Sequence, residues 1–310
     1  MTFDFACENP VRLDLFLREK IALKLNDAEN ASNSKIRRLI IAGAVKTDGR
    51  QCRIPSFMLR SGCRVSVVFD EAKFFFEKQP DDVKFEVTEE SVLYEDDVII
   101  VLNKPAFFPS EPTITGKRDN MHDAVVRWLW KRNPSLRNPP YAGIMHRLDC
   151  ETSGVILFTK QRTVNNAVHD MFENHTARKV YRAVTVRPAK LPSHEFSADT
   201  FTGRISAKSA AAKWGELPES RGGVHAHTDF TLIELSENKL FIEARPLTGR
   251  THQIRVHLSS LGMPIIGDTL YGAPAGDRMY LHAQSLTFPH PVTGRIMTIT
   301  SPLPSGFFKE

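Results

Sequence analysis

Residues 146–154, with the sequence HRLDCETSG, carry an imidazole, a guanidinium, two carboxylates and two hydroxyls within nine positions. The apolar run 155–158 follows directly and predicts a buried strand. Asp149 is therefore expected on a loop that a strand holds in place, a common location for a chemical group. An isolated Asp here can also be a polar turn residue in front of a strand, so distant segments have to decide between the two interpretations.

A lone Asp that acts as a nucleophile has to be ionised, partly shielded from water and paired with a cation. Arg147 lies two positions before Asp149, and Arg250 and Arg255 lie on the later segment 249–257. Taken alone, this second pair can equally be arginines on a helix surface. The sequence thus offers three candidate cations for one candidate carboxylate.

Motifs of several other catalytic classes are not found. The histidine pairs 225/227, 252/257 and 282/290 lack the spacing of metalloprotease or zinc-finger ligands. The chain has no phosphate-binding loop, no dinucleotide-binding glycine motif and no G-x-S-x-G elbow. We therefore expect no metal, no nucleotide cofactor and no Ser-His-Asp hydrolase.

Composition indicates a globular protein. The chain has 310 residues, which favours about two domains, and 41% hydrophobic with 25% charged residues, which allow a proper core. No apolar run reaches the roughly 18 residues of a membrane span, and the N-terminus lacks the pattern of a secretory signal. The four cysteines form no C-x-x-C pair and indicate thiols in a reducing compartment. A cytoplasmic location is the resulting expectation.

Positive charge is in mild excess, with a net charge of +5 and a pI of about 9.0. Such a balance is compatible with a polyanionic partner. It falls partly on the N-terminal segment, where apolar spacing predicts a helix over 11–25 and a second helix that Ser34 caps and Gly43 closes. Asp48-Gly49 then predicts a hairpin turn between short strands.

Three basic residues, Lys35, Arg37 and Arg38, are expected on the outer side of that second helix as a phosphate-binding face. A basic helix face can also be merely solvated. Residues 11–70 as a whole resemble the S-four-like RNA-binding domain. The matching residues are RLD at 12–14, Phe16-Leu17, the second helix, Gly43, the Asp-Gly turn and Arg64-Val65. The resemblance implies an RNA-binding module over residues 1–70, followed by a linker over 71–90 in which Phe74–Phe76 pack against one domain.

The remainder, residues 91–310, mixes strands and helices without regular alternation. Apolar patterns predict strands at 98–102, 155–158, 179–186, 229–235 and 239–247 and helices near 121–129, 164–172 and 252–261. Residues 203–228 look like a surface insertion or long hairpin. Several strands are linked by hairpins, which favours an α+β fold with a mixed, mainly antiparallel sheet rather than βαβ winding.

Residues 146–154 resemble the catalytic motif of the RluA-type pseudouridine synthases. Further blocks match in the family's order: NKP at 103–105, KVYRA at 179–183, LTGRTHQIRVH at 247–257, GMPIIGD at 262–268, YG at 271–272 and LHA at 281–283. The likeness covers about residues 91–302. It implies a cofactor-free isomerase that converts uridine to pseudouridine in RNA, and many such enzymes carry an S-four-like module.

The resemblance also implies residue roles. Asp149 is the catalytic carboxylate and attacks either the anomeric carbon or carbon six of the ring. Arg255 pairs with it, and Tyr181 stacks on the extruded base and is a candidate for proton removal at carbon five. Arg147 fills the gap that the base leaves, since a stacked nucleotide is out of reach. Periodicity alone would make Tyr181 a core aromatic.

Basic residues of the matching blocks, Lys104 and Arg250, are expected to bind RNA together with the three of the N-terminal helix, and His146 is expected to make a structural hydrogen bond. Glu111 and Cys150 depart from the family's residues at their positions. We expect an RNA-acting monomer, with ribosomal RNA favoured over transfer RNA. The alternatives are a non-catalytic RNA-binding or ribosome-assembly factor and a hydrolase of small nucleosides.

Overall fold

The computed structural model describes residues 2–25, 32–69, 83–112, 118–206 and 212–308. These residues form two compact units, a first within residues 2–69 and a second formed by 83–112, 119–205 and 213–308. Residues 71–82 of the predicted linker, which include the triple-Phe segment, lie outside the described residues. The last part of the linker belongs to the second unit, because Phe85 and Val87 pack into a core there.

The first unit combines two helices with a four-stranded antiparallel sheet of order β1-β6-β3-β4 and a two-stranded sheet of β2 and β5. Its elements are β1 (Thr2–Ala6), β2 (Val11–Arg12), α1 (Leu13–Leu25), α2 (Asn33–Ile41), β3 (Val45–Thr47), β4 (Arg50–Gln51), β5 (Met58–Leu59) and β6 (Arg64–Val68). The predicted turn joins β3 to β4, with positive φ at both Asp48 (47°) and Gly49 (77°). A primed turn of this kind matches the twist of a hairpin.

The second helix, α2, differs from the prediction in two ways. Ser32 rather than Ser34 is the N-cap, and its side chain accepts a hydrogen bond from the Lys35 amide. The register that follows places Lys35 on the stripe of Ile36 and Ile40, so that Lys35 is 1% exposed. The expectation of an outward-facing Lys35 is therefore wrong, because its aliphatic stem shares the buried side of the helix.

The second unit is built on an 11-stranded sheet with the order β13-β12-β14-β15-β11-β16-β10-β8-β7, to which β17 is added beside β16 and β9 beside β10. Among the described strands, β10 and β16 pair in parallel and the other pairs are antiparallel. The predicted α+β class with a mixed, mainly antiparallel sheet is thus confirmed. The strands are β7 (Val92–Glu95), β8 (Ile99–Lys104), β9 (Gly143–Ile144), β10 (Ser153–Thr159), β11 (Arg178–Val186), β12 (Glu195–Arg204), β13 (Trp214–Glu216), β14 (Val224–Leu235), β15 (Lys239–Pro246), β16 (Leu281–Pro289) and β17 (Ile296–Thr300).

Helices cover this sheet: α3 (Met121–Arg132), α4 (Asn165–Glu173) and α5 (Gln253–Ser260). The predicted insertion at 203–228 contains the end of β12, β13 and the start of β14, and β12 and β14 pair as a long hairpin. Residues 207–211 of it lie outside the described part. None of the helices in the described residues is long and apolar enough to cross a membrane.

The central strand β10 is buried along its whole length. Ile156 and Phe158 pack in one cluster with residues of α3, and Val155 and Leu157 pack in another with residues of α4. A strand that is covered on both faces needs apolar residues at successive positions, which explains the uninterrupted run in the sequence. The loop that precedes β10 is therefore attached to the most deeply buried strand of the unit.

Candidate active site

Two loops meet where β8 ends and β10 begins: residues 105–112 and residues 145–152, here called the paired loops. Lys104 fastens them together, because its ammonium donates to the carbonyls of Pro105 (2.9 Å), Phe108 (2.6 Å) and Cys150 (2.9 Å). Ser110 adds a second clasp, since its hydroxyl donates to the Leu148 carbonyl (2.7 Å) and accepts from the Leu148 amide (3.1 Å).

Lys104 is 0% exposed, and this burial lowers the pKa of its ammonium to about 7. All three donors of the ammonium are directed at loop carbonyls, so the predicted contact of Lys104 with RNA is wrong. The physical reason is that the irregular loop backbone leaves buried carbonyls that need a donor. Lys104 therefore holds the backbone of the two paired loops together.

Replacement of Lys104 by Met is expected to destabilise the protein by about 3 kcal/mol, because three buried carbonyls lose their shared donor. RNA affinity is expected to stay within about twofold, since the substitution removes no surface charge. Chemical denaturation and filter binding measure the two quantities. Lys131→Met, at an exposed position of α3, is the matched control and is expected to leave stability unchanged. If the Lys104→Met protein instead has full stability and weakened RNA binding, Lys104 contacts RNA and the structural assignment is wrong.

The strand register brings Tyr181 to the same end of the sheet as Asp149. On β16, Ala283 pairs with Gly154 of β10 on one side and with Tyr181 of β11 on the other. Gly154 has φ of 112°, and a Cβ there would lie 2.1 Å from the Ala283 carbonyl oxygen. Only glycine permits this close approach of β10 to β16, and β11 pairs with the other side of β16.

Asp149, Arg255 and Asp268 form the centre of the site. The Arg255 Nη1 donates to Asp149 Oδ2 at 3.0 Å, while its Nε and Nη2 donate to the two carboxylate oxygens of Asp268 at 2.7 and 2.9 Å. The side chains of Arg255 and Asp268 are 4% and 1% exposed, whereas that of Asp149 is 25% exposed. The bidentate contact fixes the guanidinium plane, and Asp149 is the member of the three that solvent reaches.

A second set of contacts surrounds this centre. The Arg255 guanidinium lies 5.1 Å from the centroid of the Tyr271 ring, and the Tyr271 hydroxyl is hydrogen-bonded to His252 Nδ1 at 2.9 Å. His252 has the left-handed backbone conformation (φ 55°) directly before α5, and its Nε2 lies 3.9 Å from Asp149 Oδ1. The sequence motifs cover Asp268, Tyr271 and His252 but assigned a role to none of them.

The protonation properties of the site follow from burial and from this charge pattern. Burial opposes the charge on Arg255, but the hydrogen bonds to Asp268 and the charges of Asp149 and Asp268 outweigh it and raise the guanidinium pKa. Burial, with the charge of Asp149, raises the pKa of the Tyr181 phenol, and burial lowers the pKa of His252. The Asp149 carboxylate thus lies among a permanent cation, a phenol that stays neutral and an imidazole whose protonation is disfavoured.

His146 has the structural hydrogen bond that was predicted for it. Its Nε2 accepts from the Leu157 amide at 2.9 Å, and its ring stacks on Phe172 with centroids 4.6 Å apart. Burial, with a smaller contribution from Lys179, lowers its pKa from 6.5 to about 3. An imidazole that accepts from β10 has to be neutral, so His146 holds the loop to the strand.

A pH dependence follows from His146. Its pKa is lower in the folded than in the unfolded protein, so its stabilising contribution is complete above pH 6.5 and is lost as the pH falls toward about 3. The stability advantage over His146→Gln, which can accept the same hydrogen bond without titrating, is expected to shrink by about 1.4 kcal/mol per pH unit below 6.5. Urea denaturation at pH 7 and pH 5 measures it, with the exposed His169→Gln as control. A pH-independent difference would contradict the assignment.

The remaining predicted residues of the second unit, Arg147 and Arg250, are both at the surface. Arg147 is exposed and forms an ion pair with Glu111. Arg250 is also exposed, and its Nε donates to the His225 carbonyl at 2.9 Å. Lys179, two positions before Tyr181, donates to the Thr248 carbonyl at 2.9 Å, and burial followed by the charge of Arg250 lowers its pKa to about 8.

In the first unit, Arg37 and Arg38 are exposed, and Arg37 Nη1 lies 3.8 Å from the buried carboxylate of Asp14. Asp14 also binds Arg12 through two hydrogen bonds of 3.1 and 2.8 Å. The structure therefore leaves two of the three predicted basic residues of α2 at the surface. In neither unit do the described residues contain a group of three or more His, Cys, Asp or Glu arranged to hold a metal ion.

Comparison with solved structures gives the fold class. The human RNA pseudouridylate synthase domain-containing protein 4 superposes with a TM-score of 0.58 at 23% identity, over 70% of this chain and 90% of that one. The human domain-containing protein 1 gives a TM-score of 0.55 at 23% identity, over 71% of this chain and 87% of that one. The fold is that of RNA pseudouridylate synthases.

Sequence comparison gives the family. The family described as RNA pseudouridylate synthase matches residues 98–260. An RNA pseudouridine synthase of Synechocystis is 32% identical over 307 residues, which cover 96% of this chain and 88% of that protein. The ribosomal large subunit pseudouridine synthase C of Haemophilus ducreyi is 34% identical over 69% of this chain and 66% of its own length. The chain belongs to the RNA pseudouridylate synthase family and is an isomerase that makes pseudouridine in RNA.

Proposed function

We propose that this enzyme modifies specific uridines of ribosomal RNA through nucleophilic attack by Asp149 on an extruded nucleotide. The observation that carries the proposal is the arrangement of Asp149: a partly exposed carboxylate that a buried, doubly anchored arginine holds in place. Ribosomal RNA is favoured because relatives of this chain are named as ribosomal large subunit pseudouridine synthases. The predicted cytoplasmic location and monomeric state remain predictions.

The geometry suggests which oxygen reacts. Asp149 Oδ2 accepts from Arg255, which leaves Oδ1 for attack at the anomeric carbon of the uridine. The bond from that carbon to the ring nitrogen breaks, and uracil leaves as an anion while an ester forms to Asp149. After the uracil rotates, its carbon five attacks the anomeric carbon and displaces the carboxylate. Loss of the proton from carbon five and addition of a proton to the freed ring nitrogen complete pseudouridine, so the reaction is a net isomerisation that needs no redox partner.

Tyr181 is assigned the base-stacking role. Its raised pKa keeps the phenol neutral at physiological pH, which suits stacking and makes it a poor base. We assign the removal of the carbon-five proton to the Asp149 carboxylate, which is free again once the new bond forms. Arg147, at the exposed rim of the site, would fill the gap in the RNA from which the base is extruded.

The first unit would supply additional RNA affinity. Arg37 and Arg38 leave its second helix exposed and positively charged, as a phosphate-binding face requires. Arg250 would make a similar contact from the second unit. Such contacts add affinity that depends on salt but not on base identity.

Tritium release tests the proposed function. RNA is labelled at carbon five of uridine in cells that lack the gene, and large-subunit ribosomal RNA, transfer RNA and free uridine are separately incubated with the protein. Each pseudouridine formed frees one tritium, and we expect release from the ribosomal RNA alone. Free uracil from uridine would favour the hydrolase alternative. No release from any RNA, together with a ribosome-assembly defect in the deletion strain, would favour the non-catalytic alternative.

A further inference from the structure

The side chain of Arg147 is held by a specific partner at the surface. Its Nη1 forms an ion pair with Oε1 of Glu111, and the two side chains are 56% and 41% exposed. Glu111 belongs to one of the paired loops and Arg147 to the other. The ion pair therefore joins the two loops at the surface, in addition to the buried hydrogen bonds of Lys104 and Ser110.

The backbone beneath this pair is fixed on both sides. Ser110, next to Glu111, is 4% exposed and binds both backbone groups of Leu148, which is next to Arg147 and 7% exposed. Lys104 joins the same loops at Phe108 and Cys150. The exposed side chains of Arg147 and Glu111 thus project from a backbone that buried contacts hold in place.

The charge of Glu111 is unexpected for an RNA-facing rim. A carboxylate at this position, opposite Arg147, repels phosphates and reduces the affinity for RNA. Glu111 also binds the Arg147 guanidinium, which would otherwise be available to any nearby phosphate. An exposed ion pair is weak and is readily exchanged for other contacts once RNA is seated.

We propose that Glu111 is a positioning residue that presents Arg147 to the gap left by the extruded uridine and keeps it from binding phosphates at random. This inference rests on the proposed function, because it gives Arg147 an RNA contact. Glu111 thus lowers the affinity for RNA somewhat, but it places Arg147 correctly when the base leaves the stack.

The expected result is a divergence between binding and rate. Glu111→Gln keeps the size of the side chain and removes its charge. Under single-turnover conditions with the tritium-labelled large-subunit ribosomal RNA, we expect the half-saturating protein concentration to fall by about twofold to fivefold, because a phosphate-repelling charge is lost. The rate at saturation is expected to fall roughly tenfold, since a misplaced side chain is costly to the chemical step.

Further variants separate positioning from a merely structural role. Arg147→Met is expected to lower the saturated rate at least as much as Glu111→Gln, and the double variant is expected to be no slower than Arg147→Met alone. Glu86→Gln removes another exposed glutamate paired with an arginine, Arg127, and is expected to leave both quantities unchanged. Melting temperatures of all variants show whether a lost rate reflects unfolding.

Several outcomes would overturn the proposal. A Glu111→Gln protein with the saturated rate of the wild type shows that Glu111 does not position Arg147. Rate losses that multiply in the double variant show that the two residues act independently. If the wild type releases no tritium from the RNA, the proposed function itself has failed and the inference fails with it, whereas an active wild type with an unaffected Glu111→Gln variant overturns the inference alone.

Discussion

An Asp149→Asn variant is expected to lose tritium release by at least about a thousandfold, because removal of a nucleophile leaves only binding and positioning to act on the substrate. The amide has nearly the shape of the carboxylate, so the fold around it is expected to persist. RNA retention on a filter is expected to remain within about threefold of the wild type, since most RNA affinity comes from phosphate contacts elsewhere.

The control is Asp170→Asn, which makes the same chemical change at a 67% exposed position on α4. It is expected to match the wild type in both assays. An Asp149→Asn protein that keeps more than about a tenth of the activity would show that the side chain is not the nucleophile, given the size of the loss that nucleophile removal causes.

The second large effect is expected at Asp268. An Asp268→Asn substitution removes the charge of the carboxylate that anchors the buried Arg255 guanidinium, and removal of one member of a buried ion pair typically costs about 3–5 kcal/mol. The melting temperature is expected to fall by roughly 6–20 °C for a unit of this size. Activity is expected to fall about a hundredfold as well, because the guanidinium that orients Asp149 is no longer fixed.

Asp119→Asn provides the comparison. Asp119 binds Arg127 through two hydrogen bonds of 3.0 and 3.1 Å, but the two side chains are 45% and 41% exposed. Exposed pairs contribute at most about 1 kcal/mol, so this variant is expected to melt near the wild-type temperature. Equal effects of the two substitutions would contradict the view that burial makes Asp268 the anchor of the site.

Local sequence signals predicted much of the fold. The uninterrupted apolar run of β10 indicated a buried strand, and Asp48-Gly49 marked the hairpin between β3 and β4. Each of these signals depends on a residue's own conformational preference or on its immediate neighbours. The linkage of β10 to β11 through Ala283 of β16 depends on distant pairing, which no local pattern specifies.

The candidate site was predictable as a set of motifs but not as a set of contacts. The pairing of Asp149 with Arg255 was expected from the family resemblance, while Asp268, which anchors that arginine, carried no separate signal. Lys104 and Lys35 were expected to face RNA because they are basic. Burial of both shows that charge in a sequence does not reveal where the side chain points: a helix register buries one, and the carbonyls of a loop bind the other.

Pseudouridine mapping tests most directly whether this protein modifies defined positions of ribosomal RNA with Asp149 as the nucleophile. Total RNA from cells that lack the gene is incubated with the wild type or with Asp149→Asn, and pseudouridine is then mapped by chemical adduct stops. We expect the wild type to restore stops at one or a few positions of large-subunit ribosomal RNA and the Asn variant to restore none. Identical stops with both proteins, or none with the wild type, would contradict this assignment.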